Sequence, residues 1–199
     1  MITCAQIIKI IKIFRWGLLH KIFGCAHNSI IGFVSTGWIN LEKSNTALDG
    51  APCVRRDIGS FGQQYADILL CKEGRPFIVV EVEAGVSKYR EKLNSLKNYL
   101  RNRSDFGKLG FGLLIMTNAY DAQKGRKYKH NWALIKKQVR FGKDAIALVS
   151  IEKRQVKTDN SIMGRLRKRN DYYPWEIENI DYWVFDGQRV KTGNLWRID

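Results

Sequence analysis

The chain has 199 residues, of which 45% are apolar and 12% aromatic, and this composition excludes an intrinsically disordered protein. Its formal charge of +15 favours a polyanionic partner, with nucleic acid first and an anionic membrane surface second. The alternative is a basic protein that has no such partner. The length predicts one domain over 1–199, with a helical and irregular extension (1–60), an α/β core (61–155) and a basic, aromatic extension (156–199).

The cysteines and histidines exclude several kinds of site. The cysteines are widely spaced, and the sequence contains neither a CxxC pair nor a matching histidine cluster. This pattern argues against both a zinc site and a dense disulfide framework and favours a reducing, cytoplasmic location. The histidines have neither metal-ligand spacing nor a Ser or Cys partner pattern, so nucleophilic catalysis has no support. The residues concerned are Cys4, Cys25, Cys53 and Cys71, and His20, His27 and His130.

The N-terminal stretch AQIIKIIKIFRWGLLHKIF, residues 5–23, predicts an amphipathic helix. Basic residues interrupt it throughout, which excludes a signal peptide and a membrane span. We expect its apolar side to dock on the domain core or on a second subunit, and the alternative is a position on a membrane surface. The apolar stripe consists of Ile7, Ile8, Ile11, Phe14, Leu18 and Ile22, and the interrupting residues are Lys9, Lys12, Arg15 and Lys21.

Residues 26–60 mix short apolar pieces with turn-forming residues and predict no definite element. After them the sequence predicts a hairpin. YADILL (65–70) has strand composition, CKEGR (71–75) is a loop that turns at Gly74, and PFIVVEVE (76–83) is a second strand rich in β-branched residues.

An alternation of helices and strands follows the hairpin. A helix is predicted within VSKYREKLNSLKNYLR (86–101), and the wholly apolar FGLLIMT (111–117) is typical of a strand covered on both faces. The order predicts an α/β fold in which helices flank a mixed central sheet, built from an antiparallel hairpin and a right-handed βαβ unit. The remaining predicted elements are a helix near residues 132–139, a strand at 145–151 and a C-terminal hairpin at 182–191 that turns at Asp186 and Gly187.

Three acidic residues of the first hairpin form the candidate site. Glu81 and Glu83 are two apart on a strand and therefore share a face, and Asp67 can lie near them if the two strands pair antiparallel. Carboxylates that meet at the end of a sheet repel one another, so either their pKa values rise or a divalent cation holds them ionised. Mg²⁺ is the natural occupant, because it prefers hard oxygen ligands. Two alternatives stay open: the glutamates form the solvated face of an edge strand paired with Lys88 and Lys92, and Asp67 begins a turn or a cap.

Asp67 followed by Glu81-Val82-Glu83, with a helix and a strand after them, resembles the core of the PD-(D/E)XK nuclease superfamily. That superfamily includes many restriction endonucleases and archaeal Holliday junction resolvases. The resemblance covers 65–117, about a quarter of the chain. Ala66 stands where proline is usual, and Glu83 stands where the motif lysine is usual.

The resemblance implies a restriction-endonuclease-like fold and Mg²⁺-dependent hydrolysis of DNA, in which Mn²⁺ is expected to substitute for Mg²⁺. Asp67, Glu81 and the Val82 carbonyl would bind the metal. Glu83 would bind a second metal or orient the attacking water, and Lys88 would stabilise the developing negative charge. Which of Glu83 and Lys88 replaces the motif lysine stays open. The resemblance also implies a homodimer, a 5′-phosphate product and no small-molecule cofactor.

Basic clusters are the candidate contacts with nucleic acid. Arginines beside aromatic residues suit backbone clamping and base stacking, as in the cluster before Tyr172 and Tyr173. Two other functions remain open: a nucleic-acid binder that has lost catalysis, and a membrane-surface protein that uses the N-terminal helix. The predicted contact residues are Lys92, Lys124, Arg126, Lys127, Arg165, Arg167, Lys168 and Arg169; Glu42 is a further acid for which a surface position is favoured.

Overall fold

A computed structural model describes residues 2–16, 27–40, 52–55, 66–72, 75–83, 89–102, 110–117, 125–155 and 175–195. These residues form four helices and seven strands. The helices are α1 (Cys4–Lys12), α2 (His27–Ile39), α3 (Tyr89–Asn102) and α4 (Gly125–Arg140). The strands are β1 (Pro52–Arg55), β2 (Ile68–Lys72), β3 (Arg75–Glu83), β4 (Phe111–Thr117), β5 (Ile146–Gln155), β6 (Trp175–Phe185) and β7 (Val190–Asn194).

The strands form one mixed sheet in which neighbours along the chain are also neighbours in space. β1, β2 and β3 pair antiparallel, β3, β4 and β5 pair parallel, and β5, β6 and β7 pair antiparallel again. α3 and α4 connect the parallel strands, as a parallel pair requires a crossover. The predicted α/β architecture, with a hairpin followed by a strand–helix–strand unit, is confirmed.

Helices cover both faces of the sheet. α1 and α2 pack on one face and α3 and α4 on the other, and each pair of helices encloses its own apolar core. β4 is buried at every residue, and its side chains alternate between the two cores: Leu113 faces α1 and α2, whereas Leu114 faces α3 and α4. The two-sided burial expected of residues 111–117 is confirmed.

The predicted N-terminal helix is present but much shorter than residues 5–23. α1 begins with a capping box between Thr3 and Gln6 and ends at Lys12. The indole of Trp16 donates to the carbonyl of Ile11 at 2.6 Å, which is the carbonyl that Arg15 would reach in a longer helix. Arg15 instead takes a positive φ of 49°. The predicted stripe positions Leu18 and Ile22 lie outside the described residues.

The apolar side of α1 is buried against the sheet, with Ile7 and Ile11 fully enclosed. The backbone nitrogen of Cys4 donates to Asp186 Oδ2 at 3.0 Å and attaches the start of the helix to the β6–β7 turn. Docking on the domain core is therefore confirmed for this helix. Within the ranges that the structure describes, none of the helices combines the length and the apolar character needed to cross a membrane.

α2 occupies part of residues 26–60, where the sequence predicted no definite element. Its sequence HNSIIGFVSTGWI contains two glycines and apolar residues on several sides, so that helical periodicity is weak. Gly37 allows a close approach, since a Cβ there would lie 3.1 Å from the ring of Phe14. The indole of Trp38 donates to the Cys71 carbonyl at 2.9 Å, which fixes the C-terminal end of α2 to β2.

Both predicted hairpins are confirmed, with shifted boundaries. β2 runs over Ile68–Lys72 rather than residues 65–70, so it continues through part of the predicted loop. Cys71 and Lys72, which were expected in the loop, pair with Pro76 and Arg75, and the register shifts by one residue between Leu70 and Cys71. In the C-terminal hairpin, Gly187 has a φ of 94°, as the turn at Asp186 requires.

Candidate functional site

Asp67 and Glu81 lie side by side where β2 begins and β3 approaches its end. Ile68 is paired with Val80, so the residue before β2 stands opposite Glu81 in the antiparallel register. The backbone N–H of Val82 donates to Asp67 Oδ2 at 2.7 Å and holds the carboxylate against β3. Asp67 therefore lies near Glu81, one of the two glutamates to which it was predicted to be close.

The ammonium group of Lys92, from α3, bridges the two carboxylates. Its Nζ donates to Glu81 Oε2 at 2.6 Å and lies 3.3 Å from Oδ2 and 3.4 Å from Oδ1 of Asp67. Because both carboxylates contact the same nitrogen, their oxygens are separated by no more than two hydrogen-bond lengths. We call Asp67, Glu81 and Lys92 the carboxylate–lysine cluster.

Burial strengthens the charge interactions among the three side chains of the carboxylate–lysine cluster. The side chain of Glu81 is 1% exposed, that of Asp67 15% and that of Lys92 22%. Burial raises the pKa of Glu81 to about 7, although Lys92 acts to lower it, and the negative charge of Asp67 raises it further. Burial acts to lower the pKa of Lys92, but the hydrogen bond and charge of Glu81, together with Asp67, outweigh it, so that this pKa is raised. The cluster thus couples an acid that titrates near neutrality to a lysine that stays charged.

His27 approaches the cluster from the opposite face of the sheet. It is the first residue of α2, and its Nε2 lies 3.2 Å from Asp67 Oδ2. Its Nδ1 lies 3.2 Å from Asn28 Oδ1, and its side chain is 37% exposed. Asp67 is therefore flanked by Lys92 from the α3 layer and by His27 from the α2 layer.

The other predicted site residues are placed only in part. Glu83 follows Glu81 by two residues on β3, pairs with Met116 of β4 and is partly exposed. The backbone nitrogen of Val82 contacts Asp67, while the metal-binding role of its carbonyl stays a prediction. Lys88 lies outside the described residues.

The edge-strand alternative is wrong for Glu81. β3 lies between β2 and β4 in the interior of the sheet, and Glu81 is almost fully buried. Its pairing with Lys92, which that alternative also contained, is present. A buried carboxylate on an interior strand needs a cationic partner, and Lys92 meets that requirement.

The predicted nucleic-acid contacts fall into three groups. Lys92 lies inside the cluster rather than on the open side of α3. Arg126 and Lys127 lie in the first turn of α4, which must begin at the edge where β4 ends, since α4 returns to a parallel strand. That is the edge where the cluster lies. Lys124 and the basic residues Arg165, Arg167, Lys168 and Arg169 lie outside the described residues, as does Glu42.

Two residues of the site, Lys92 in its bridging role and His27, were not anticipated. Lys92 has a signal in the sequence, because it follows Tyr89 by three and precedes Leu96 by four residues and so falls within the buried stripe of α3. His27 has no such signal, since its contact depends on where α2 docks.

No family model matches the chain, and no curated protein or solved structure is significantly similar to it.

Proposed function

We propose that this protein is a Mg²⁺-dependent nuclease that hydrolyses DNA phosphodiester bonds, of the restriction-endonuclease-like type that the PD-(D/E)XK resemblance implies. One observation carries the proposal: a single ammonium group bridges Asp67 and Glu81 at the end of the β2–β3 hairpin. A carboxylate pair and a lysine at one point are the groups that metal-assisted phosphodiester hydrolysis uses. The charge of +15 supports a polyanionic substrate.

The donor set fits Mg²⁺. The position between Asp67 and Glu81 already holds a cation, the Lys92 ammonium, which stands in for a metal ion. Among the described residues, no three His, Cys, Asp or Glu side chains are grouped as a metal site. Mg²⁺ is commonly held by one or two carboxylates, and water and substrate phosphate oxygens complete its coordination. Two carboxylates are therefore sufficient for this ion.

Each residue of the carboxylate–lysine cluster has a role in the proposed reaction. Asp67 and Glu81 would hold the ion, which when bound polarises the scissile phosphate and lowers the pKa of water. Lys92 would supply a positive charge beside the carboxylates, which would stabilise negative charge on the phosphate. Burial of Glu81 excludes water from one side of the site and strengthens these interactions.

Lys92 also bears on the missing motif lysine. Glu83 stands at the usual lysine position, which left open a protein that binds nucleic acid without cleaving it. Lys92 brings an ammonium group to the same carboxylates from α3, the helix after the motif, which supports a lysine supplied from that helix rather than from the position of Glu83. We therefore propose Lys92, rather than Lys88, for this role.

The membrane-surface alternative has lost its main support. It required the apolar side of the N-terminal helix to be available to lipid, whereas Ile7 and Ile11 are buried in the domain core. A homodimer stays a prediction that rests on the resemblance.

The proposal is tested by cleavage of plasmid, single-stranded and four-way-junction DNA with Mg²⁺, with Mn²⁺ and with EDTA. We expect cleavage that needs the metal, and a loss on the order of 100-fold or more in Asp67→Asn and Lys92→Met. Lys97→Met is the matched control, because Lys97 lies on the same helix but donates to the Gln138 carbonyl at 2.8 Å. Both lysine variants lower the charge equally.

The outcome separates three possibilities. Cleavage by both Asp67→Asn and Lys92→Met at the wild-type rate would remove the proposed site. DNA binding by the wild type without cleavage under any metal would support the binder that has lost catalysis. Equal losses of cleavage in Lys92→Met and Lys97→Met would mean that the effect of Lys92 comes only from the change in net charge.

A further inference from the structure

We infer that His27 is a positioning residue that orients Asp67 as a metal ligand from the opposite face of the sheet. This inference rests on the proposed function and adds a residue that the motif resemblance does not contain. The observation that carries it is the 3.2 Å contact between His27 Nε2 and Asp67 Oδ2.

The two oxygens of Asp67 have different surroundings. Oδ2 accepts the Val82 backbone N–H at 2.7 Å, faces His27 and also contacts Lys92. Oδ1 contacts Lys92 at 3.4 Å. With a metal ion in place of the ammonium, Oδ2 would keep its contacts with Val82 and His27, and Asp67 would hold the ion in a fixed orientation. Two donors on one oxygen fix the rotation of the carboxylate, which is how an outer partner orients a ligand.

The packing of α2 on the sheet determines where His27 lies. α2 packs on the sheet through Ile30, Val34 and Trp38, and the Trp38 indole is bonded to β2 at the far end of the helix. Nδ1 of the imidazole lies 3.2 Å from Asn28 Oδ1. His27 is thus positioned by α2, whereas Lys92 reaches Asp67 from α3.

The contact pattern favours positioning over direct coordination. The Nε2 atom faces a carboxylate oxygen, which accepts hydrogen bonds, and we propose that Nε2 carries the proton of this contact. A donor role can be retained by a glutamine amide, whereas a role as a nitrogen ligand cannot.

The test measures Mn²⁺ binding in solution by electron paramagnetic resonance and by calorimetry, without DNA. We expect His27→Ala to weaken Mn²⁺ binding about 10- to 100-fold and His27→Gln to restore at least half of that loss on a logarithmic scale, since its amide N–H can reach Asp67. Thr36→Ala, at an exposed position of the same helix, should bind Mn²⁺ as the wild type does. Thermal unfolding of each variant without metal provides the matching measure of fold integrity.

The outcomes are distinguishable. Wild-type binding in His27→Ala would overturn the inference and leave the proposed function intact. Loss of binding that His27→Gln does not restore, in a variant that unfolds like the wild type, would also overturn it, because the imidazole would then be a direct ligand. A wild-type protein that binds no Mn²⁺ would overturn both the inference and the proposed metal site, whereas loss of cleavage in a wild-type protein that binds Mn²⁺ would count against the proposed reaction alone.

Discussion

The titration of Glu81 predicts a specific dependence of stability on pH. Its pKa is raised from an ordinary 4.5 to about 7, principally by burial, so the folded protein binds this proton more tightly than the unfolded chain. Stability from this group is therefore complete below pH 4.5, falls as the pH rises, and is lost above pH 7. Lys92 does not titrate in this window, since its own pKa is raised above 10.5.

The magnitude follows from the displacement of the pKa. A difference of one pKa unit corresponds to 1.36 kcal/mol, so the complete transition amounts to about 3 kcal/mol. Between pH 5 and pH 8 the expected fall in the free energy of unfolding is roughly 2–3 kcal/mol. Glu81→Gln cannot ionise and should lack this component.

The assay is urea unfolding at pH 5 and pH 8, in EDTA, followed by tryptophan fluorescence. Other titrating groups contribute equally to both proteins, so the wild-type change minus the Glu81→Gln change isolates the glutamate. Glu91→Gln, at an exposed position of α3, is the control and should keep the wild-type change. A wild-type change equal to that of Glu81→Gln would refute the reasoning, because Glu81 would then titrate alike in the folded and unfolded states.

Two further predictions concern the attachment of the N-terminal helix. Ile11→Ala should lower the free energy of unfolding by about 3 kcal/mol, because it removes a fully buried side chain. Lys9→Ala, on the exposed side of the helix, should change it little. Similar effects of the two substitutions in chemical denaturation would contradict the docking of α1. Asp186→Ala should lower the free energy of unfolding by about 2 kcal/mol, since the N–H groups of Cys4, Gln188 and Arg189 lose their acceptor. Asp186→Asn should retain part of this stability in thermal unfolding. An unchanged stability of Asp186→Ala would count against the role of Asp186 as acceptor.

The buried strands β3, β4 and β5 could be predicted because their burial leaves a local pattern, whereas β1 lies in residues 26–60, where no element was predicted. The apolar run of β4 indicated two covered faces, and the spacing of Glu81 and Glu83 placed both on one face of β3. α2 could not be predicted, because a helix with apolar residues on several sides has little periodicity. The end of α1 at Lys12 was not predicted either; after it the Trp16 indole occupies the Ile11 carbonyl, which a longer helix would use.

In the candidate site, too, some contacts were predictable from the sequence and others depended on the tertiary structure. Asp67 and Glu81 were predictable as partners, because hairpin pairing relates residues that are close in sequence. For the lysine, the sequence favoured Lys88, which lies outside the described residues, whereas the structure brings Lys92 to the carboxylates, a contact that depends on how α3 docks on the sheet. For His27 nothing local indicates the distance to Asp67, from which it is separated by 40 residues of sequence.

The sequence by itself determined the basic character of the protein, the mixed sheet and the pair of acids at the end of a hairpin, because charge and the two-residue period of strands are local properties. Only the tertiary structure decided which cation meets those acids. Lys92 and His27 reach Asp67 from helices on opposite faces of the sheet, and the docking of each helix depends on apolar contacts distributed over the whole core. No short stretch of sequence contains that information.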